Sequence, residues 1–459
     1  MKKLLELKDG AVVASGVKRD LPPNQTAIWR DGENVLFYDS AIEKAEGLDA
    51  LAALAEPATG IGQGYAGEQA RAFIGTQSRF YRYSPVAGLV QLRDGLAGPR
   101  WSIIPWGEWV IATNNNDPVQ VSKNTLSMAA LTGVPVAKAK VIRKLGQRPI
   151  IFYGQNAAWP SATNIEDWTV GNPTTNAGNF FIRDLDSDVE AVEPLGEGLA
   201  YYTQNKMGLV SFIGGNAVFG FKNRLQGIGA ISINAVVVVG QKHYGMGQKG
   251  VWVTDGSSHR YIDNPDVNRF IDSQRDPDQI DSITSIHVID KTMVQWFFDC
   301  LDGTRRGVGY NYETGAWHLL KMGITAASEM DAFDYPLAAL GTAFGYYDKG
   351  PNLGTNPLPA SITSAPFDAG DDNRYKWWDL VEVHWRGTGT PEIRFGLHTG
   401  TVFGDDIDDE WTEWAPLERI NHLQRESVFL TMQIRSTALD TTWRVGGLVV
   451  WGEPAGLVQ

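Results

Sequence analysis

The stretch Gly250-Val251-Trp252-Val253-Thr254-Asp255-Gly256, returning through His259-Arg260-Tyr261-Ile262, decides the fold. Its first run suits a pleated, half-buried surface, Asp255-Gly256 tolerates positive φ, and the second run leads the chain back. That combination marks a β-hairpin. The module recurs downstream. Residues 294–298 run into Asp302-Gly303, return through Val308-Gly309-Tyr310, turn at Glu313-Thr314-Gly315 and leave as Trp317-His318-Leu319-Leu320. Repetition of this kind predicts an all-β protein.

Composition agrees. The 459 residues include 50 Gly and 16 Trp, as expected for tight turns between aromatic-rich strands, and 43% are hydrophobic, enough for a substantial core. The chain is too long for one ordinary core, so it predicts several domains or a closed ring of repeats. From Ile61 onward the candidate units are roughly 40 residues long, the period of a four-stranded propeller blade. They fall near 61–98, 101–147, 148–188, 189–232, 233–280 and 283–325. A partial set at 337–347 is expected to close against an early strand such as Val35–Tyr38. The prediction is a β-propeller of six blades, with seven as the alternative, over residues 61–347.

Residues 1–60 read as scattered strands leading in, with a short helix at 50–55 stopped by Pro57. The Pro- and Gly-rich segment 348–366 reads as a linker. Alternating runs in 367–459, such as Glu392-Ile393-Arg394-Phe395, predict a small separate β-sandwich or platform.

The net charge is −13, of which residues 366–459 hold −8 (16 acids, 8 bases). Such a surface repels nucleic acid at long range and argues against phosphate-gripping as the main activity. One stretch opposes the trend: between Asp117 and Glu166 the charged residues are Lys123, Lys138, Lys140, Arg143, Lys144 and Arg148. They read either as exposed strand edges guarded by cations or, for Lys138, Lys140, Arg143, Lys144 and Arg148, as a docking patch for an acidic partner. Cys300 is the only cysteine, which excludes an intrachain disulfide. Glu6, Lys8 and Asp9 interrupt any signal-peptide core, and the longest apolar run, 235–239, is too short to span a bilayer, so the expectation is a protein made in the cytoplasm.

Chemistry-bearing patterns are sparse. His243, His259, His287, His318, His384, His398 and His422 show no metal-ligand spacing. Asp184, Asp186 and Asp188 alternate like a calcium loop, but Val189 stands where the loop needs Gly and Leu195 where it needs Glu. The run Asp405-Asp406-Ile407-Asp408-Asp409-Glu410 reads as a solvated acidic loop. Glu313-x-Gly315-x-Trp317 is similar to a sialidase Asp-box with Glu for Asp and the Trp one place early. No two of the 53 acids stand out as a glycosidase pair. The expectation is no catalytic residue, no cofactor and no metal.

Several segments in order resemble the β-propeller tail nozzle proteins, also called head-closure or stabilisation proteins, of short-tailed bacteriophages. Trp109-Val110-Ile111-Ala112-Thr113-Asn114 with Asp117-Pro118-Val119-Gln120 is similar to that family's strand-turn unit, with Asn114-Asn115-Asn116 where the family has a glycine. Arg148-Pro149-Ile150-Ile151-Phe152-Tyr153-Gly154, Trp159-Pro160-Ser161 and Glu166-Asp167-Trp168 resemble its next segment. Gly250 to Gly256 and Tyr310 to Trp317 resemble later blade hairpins, and Asn34 with Glu46-Gly47-Leu48 its opening. The resemblance covers about residues 20–345. It implies a homo-hexameric ring in the virion tail beneath portal and adaptor, contacting fibre or spike proteins, with genomic DNA passing through its lumen. Two other classes remain open on the residues alone: a glycan-binding or glycan-cleaving propeller, and a cytosolic interaction scaffold.

Overall fold

Seven sheets, six of them four-stranded and the seventh extended to six strands, follow one another along the chain in a computed structural model that describes residues 2–7, 29–66, 68–123, 126–172, 174–215, 217–262, 265–371, 374–399 and 410–457. Six of them are local, spanning 58–93, 102–130, 141–181, 191–226, 236–261 and 284–320. The seventh takes Ile324–Ser328, Leu337–Leu340 and Ala343–Tyr347 and borrows its fourth strand, Leu48–Ala53, from the N-terminal region. The first strand of each sheet touches the first strand of the next, and Ile324–Ser328 touches Ala58–Ala66. The chain is therefore a closed seven-bladed β-propeller, the alternative count and not six.

Close approach at the ring's centre has a chemical cause. A Cβ added at Gly60, Gly62 or Gly64 in the first strand of blade 1 would come within 2.7 Å of Trp101, Ile103 or Pro105 in blade 2. Farther out, large side chains fill the widening wedges. Trp101 meets Phe80 edge-on at 5.1 Å between blades 1 and 2, and Tyr202 stacks on Trp252 at 5.2 Å between blades 4 and 5. The buried indoles are satisfied: Trp101 Nε1 donates to Thr76 O at 2.8 Å and Trp252 Nε1 to Gly229 O at 2.8 Å.

The sandwich is built from two six-stranded sheets and uses both ends of the chain. Lys2–Leu7, Val35–Tyr38 and Ala41–Lys44 join Arg374–Thr388, Ile420–Ser427 and Thr442–Leu457; Trp29–Glu33 joins Ala360–Ser364, Glu392–His398, Glu410–Trp411, Ala415–Pro416 and Phe429–Ser436. Trp29, Phe37, Trp378 and Trp443 lie buried between the sheets.

Four expectations need correcting. Residues 50–55 are not a helix: Leu48–Ala53 is strand, because pairing with Ala343–Tyr347 overrides the helix preference of Leu and Ala. Closure uses that strand, and Val35–Tyr38 goes to the sandwich instead. Val141–Leu145 opens blade 3 and does not end blade 2. The 348–366 segment is not a bare linker, since Asn352–Leu353 and Asn356–Pro357 flank the closing strand and Ala360–Ser364 is a sandwich strand.

One residue ties the two domains. Asn34, at φ 53°, donates its backbone N–H to Leu319 O at 2.9 Å in blade 6 and its Nδ2 to Pro359 O at 2.7 Å, and its Oδ1 accepts from Lys321 N at 2.7 Å. Beside it, Phe37 N–H donates to His318 Nδ1 at 3.2 Å. Buried Lys44 donates to Thr441 O at 2.7 Å and Pro351 O at 2.9 Å.

The closing ladder is open to a direct test. A Cβ at Gly345 would lie 2.1 Å from Asp49 O and 2.8 Å from Ala50 Cα, so Gly345→Ala must push the closing strand outward. The expected cost is about 1–3 kcal/mol, read as a lower midpoint in denaturant melts. An unchanged midpoint would mean that the strand contributes little.

Candidate functional site

The propeller axis holds a concave, polar site. A cavity of about 460 Å³ there takes residues from all seven blades, among them Gln63, Ser102, Arg143, Glu193, Val238, Ser285 and Glu329. Each inner strand thus contributes its own part of one polar lining, and hydrogen bonds run across the seams. Arg143 reaches both ways. Its Nη1 donates to Ser102 Oγ of blade 2 at 2.7 Å, while Nε donates to Glu193 Oε2 of blade 4 at 3.1 Å and Nη2 pairs with Glu193 Oε1. Gln63 Nε2 donates to Ser328 Oγ of blade 7 at 3.2 Å, and Ser285 Oγ of blade 6 to Asn234 O of blade 5 at 2.6 Å.

At the start of the inner strands a second charged layer forms. Lys140 pairs with Glu190, and Arg100 donates to Thr325 O at 3.1 Å. Burial lowers the Arg100 guanidinium to about 10 and raises the Glu190 carboxyl despite Lys140. Glu329 is the least balanced acid of the axis. Burial, reinforced by the charge of Glu193, pushes its carboxyl up to about 7. The site can therefore hold or release a proton near neutrality.

The five residues read as a docking patch do not act together. Arg143 faces the axis and Lys140 its rim, each paired with a carboxylate of blade 4. Arg148 is part-buried and donates to Asn176 O at 2.6 Å and Pro160 O at 3.2 Å, holding the outer loop of blade 3. Lys138 and Lys144 are exposed, with the Lys144 ammonium 5.7 Å from the Trp106 ring. Lys123, from the same run, pairs with Glu166 at 2.6 Å. Strand alternation and blade seams divide what looked continuous in sequence.

Other singled-out residues have local roles. His243 Nε2 donates to Pro194 O and its Nδ1 accepts from the Tyr202 hydroxyl, each at 2.7 Å, and burial lowers its pKa. Burial takes His287 down to about 4 and His318 to about 3, so both are neutral, as the Phe37 N–H to His318 bond requires. Thr203 Oγ1 donates to Asp186, and Lys206 Nζ to Asp184 O. Trp317 is buried against Tyr310. Cys300 is buried. Asp405 to Asp409 lie outside the described residues. Among the described residues no three His, Cys, Asp or Glu side chains converge as a metal cradle.

Most of the segments that carry the family resemblance are blade strands and turns, while Asn34 lies between two sandwich strands. Trp109–Thr113 and Gln120–Lys123 are neighbouring strands of blade 2, Arg148–Tyr153 and Asn156–Trp159 of blade 3. In the first, Asn114 Oδ1 accepts from the N–H groups of Asn116 at 2.9 Å and Asp117 at 2.8 Å, while Asn115 takes φ 66°. Asparagine tolerates that conformation, which is how the turn does without glycine. Asn311 builds the same turn in blade 6, accepting from Glu313 and Thr314.

No family model matches this chain, and no curated protein does. Among solved structures it is similar to a "putative 6-phosphogluconolactonase" from Bacteroides fragilis NCTC 9343, at 12% identity and a TM-score of 0.37, covering 65% of this chain and 91% of that one. A second, of the same description, from Bacteroides uniformis ATCC 8492, gives 13%, 0.36, 59% and 89%. Similarity at this level says nothing about what this chain binds or does.

Glu329 sets a pH dependence with a definite sign. Its carboxyl ionises near 4.5 when unfolded and near 7 when folded, so the folded state holds the extra proton between those values. Its contribution to stability is present at low pH and lost as pH rises through that window. Glu329→Gln is expected to flatten the melting-temperature profile between about pH 5 and 7 and to melt above wild type at higher pH. Parallel profiles for the two proteins would contradict this.

Proposed function

We propose that this chain is a virion structural protein: one subunit of a tail nozzle ring that extends or closes the DNA-ejection channel of a short-tailed bacteriophage. The observation that carries the reading is the order along the chain of hairpin segments that resemble that family. Physical features agree with it. The axial cavity of the single propeller is about 460 Å³, too small for a duplex, so DNA has to pass between copies and not through one. Six copies sum to 6 × −13 = −78 charges, and an acidic wall lets DNA slide without sticking. Asn34, His318 and Lys44 lock the sandwich to the propeller, which suits a wall element that must keep its shape. The role calls for no catalytic residue and no cofactor. Its partners are five further copies, the portal and adaptor above, and fibre or spike proteins; its place is the virion tail.

A closed propeller has no open inner edge of its own, so the isolated chain is expected to be soluble and folded, with the ring forming on a symmetric template. Native mass measurement should find six copies bound in the presence of the portal–adaptor complex and far smaller species without it. A stable dimer indifferent to that complex would contradict the proposal.

A further inference from the structure

The axial cavity lacks a cation. Its charged lining residues are Arg143, Glu193, Glu329 and Asp331, a sum of −2 with every carboxyl ionised. Arg143 is already engaged: its guanidinium pairs with Glu193 and donates to Ser102 Oγ. That leaves Glu329 with the Val238 N–H of blade 5 as its donor and no paired cation among the described residues. A sheltered carboxylate in that position is costly until a positive group reaches it. Glu329 is also held in place. Gln63, 5% exposed in the first strand of blade 1, grips the turn that carries it at three points. Its Nε2 donates to Ser328 Oγ at 3.2 Å and to Glu329 O, and its Oε1 accepts from Ala332 N at 3.1 Å.

The hydroxyls of Ser102 and Ser285 donate within the protein, to Ile142 O at 3.0 Å and Asn234 O at 2.6 Å. What the cavity offers a ligand is therefore chiefly negative charge and acceptors, with apolar surface between them at Ile61, Ile103 and Val236. Its volume of about 460 Å³ suits a small molecule. Asp331 is exposed and marks where the cavity meets water. Among the described residues no three metal-ligating side chains converge, so the missing cation has to be held by hydrogen bonds and not by coordination.

We propose that the axial cavity binds a small aliphatic ammonium, whose N–H groups donate to Glu329 and whose methylenes lie along Ile61, Ile103 and Val236. A short diammonium fits best, because its second charge is attracted by Asp331 at the mouth. The site lies within one chain and stands apart from the ring-subunit reading: attachment to the portal–adaptor complex neither needs it nor reports on it. Binding is coupled to a proton. Glu193 and Arg143 face Glu329 from blades 4 and 3, and Asp331 shares its turn. Blades 1, 2, 5 and 6 present Gln63, Ser102, Asn234 and Ser285, which do not titrate, and Lys140, Glu190 and Arg100 lie outside the lining. With its carboxyl near 7, Glu329 is about nine-tenths protonated at pH 6 and about one-tenth at pH 8. Only the ionised form attracts the ammonium, so affinity rises about tenfold between those values.

Calorimetry on the full chain tests this, with butane-1,4-diammonium as the probe and ionic strength matched throughout. Wild type should take up one equivalent, about tenfold more tightly at pH 8 than at pH 6. Glu329→Gln should lose at least about tenfold at pH 8, the worth of a hydrogen bond to a charged group, and should bind alike at both pH values. Glu313→Gln, on an exposed turn of blade 6, should bind like wild type. Melts with and without the probe separate lost binding from lost folding: the probe should raise the midpoint of wild type and leave that of Glu329→Gln in place. The proposal is overturned if wild type takes up no probe at any concentration reached, if Glu329→Gln binds as tightly as wild type, or if the affinity of wild type does not change with pH. Calcium chloride that binds wild type and excludes the diammonium would overturn it in favour of a metal ion.

Discussion

The antiparallel ladder between Leu48–Ala53 and Ala343–Tyr347 is the constraint on which the molecule depends. Six blades fold from neighbouring hairpins, but the seventh is incomplete until a strand almost 300 residues upstream arrives. Before that, Ala343–Tyr347 is a free edge, open to pairing with another chain. Afterwards the edge is occupied, and a small hairpin at 352–357 lies against the closing strand. Contacts of such sequence separation form late, because loop closure has to precede any gain from the contact. The same N-terminal segment has just contributed Trp29–Glu33, Val35–Tyr38 and Ala41–Lys44 to the sandwich. Closing the ring and anchoring the sandwich are therefore one event, and Asn34 sits where they meet.

The axis follows a second logic. Seven inner strands converge where there is little room, so glycines at 60, 62 and 64 allow contact on one seam and polar side chains bridge others. The Arg143–Glu193 pair is sheltered from water, so it adds little net stability over an apolar pair of similar shape. Losing one partner, however, would strand a buried charge. Its consequence is geometric: with the Arg143–Ser102 bond it ties blades 2, 3 and 4 at the centre. Glu329, held near neutrality, leaves that lining sensitive to pH.

The hairpins were legible because their information is local. Asp255-Gly256, Asp302-Gly303 and Glu313-Thr314-Gly315 each mark a turn within a few residues of the strands they join, and all are turns in the structure. The closing strand was not legible. Leu48-Asp49-Ala50-Leu51-Ala52-Ala53 has the composition of a helix, and only its distant partner makes it a strand. The axial lining was hidden for a similar reason. Ser102, Arg143, Glu193 and Glu329 are spread one to a blade and form no motif until the ring closes. The basic run 123–148 misled in the opposite sense, since adjacent residues in a strand face opposite sides and Arg143 and Lys144 part company at once.

A wall element of a conduit has to behave as one rigid body, and the account above makes residues 29–53 the reason that this chain does. Hydrogen exchange of the isolated, full-length protein tests that most directly. Amides of Leu48–Ala53, of Ala343–Tyr347 and of the sandwich strand Val35–Tyr38 should exchange together, with the protection of the most stable blades and only through global unfolding. Rapid exchange of Leu48–Ala53 while blades 2 to 6 stay protected would mean that the ring stands without its closing strand, and would contradict the account.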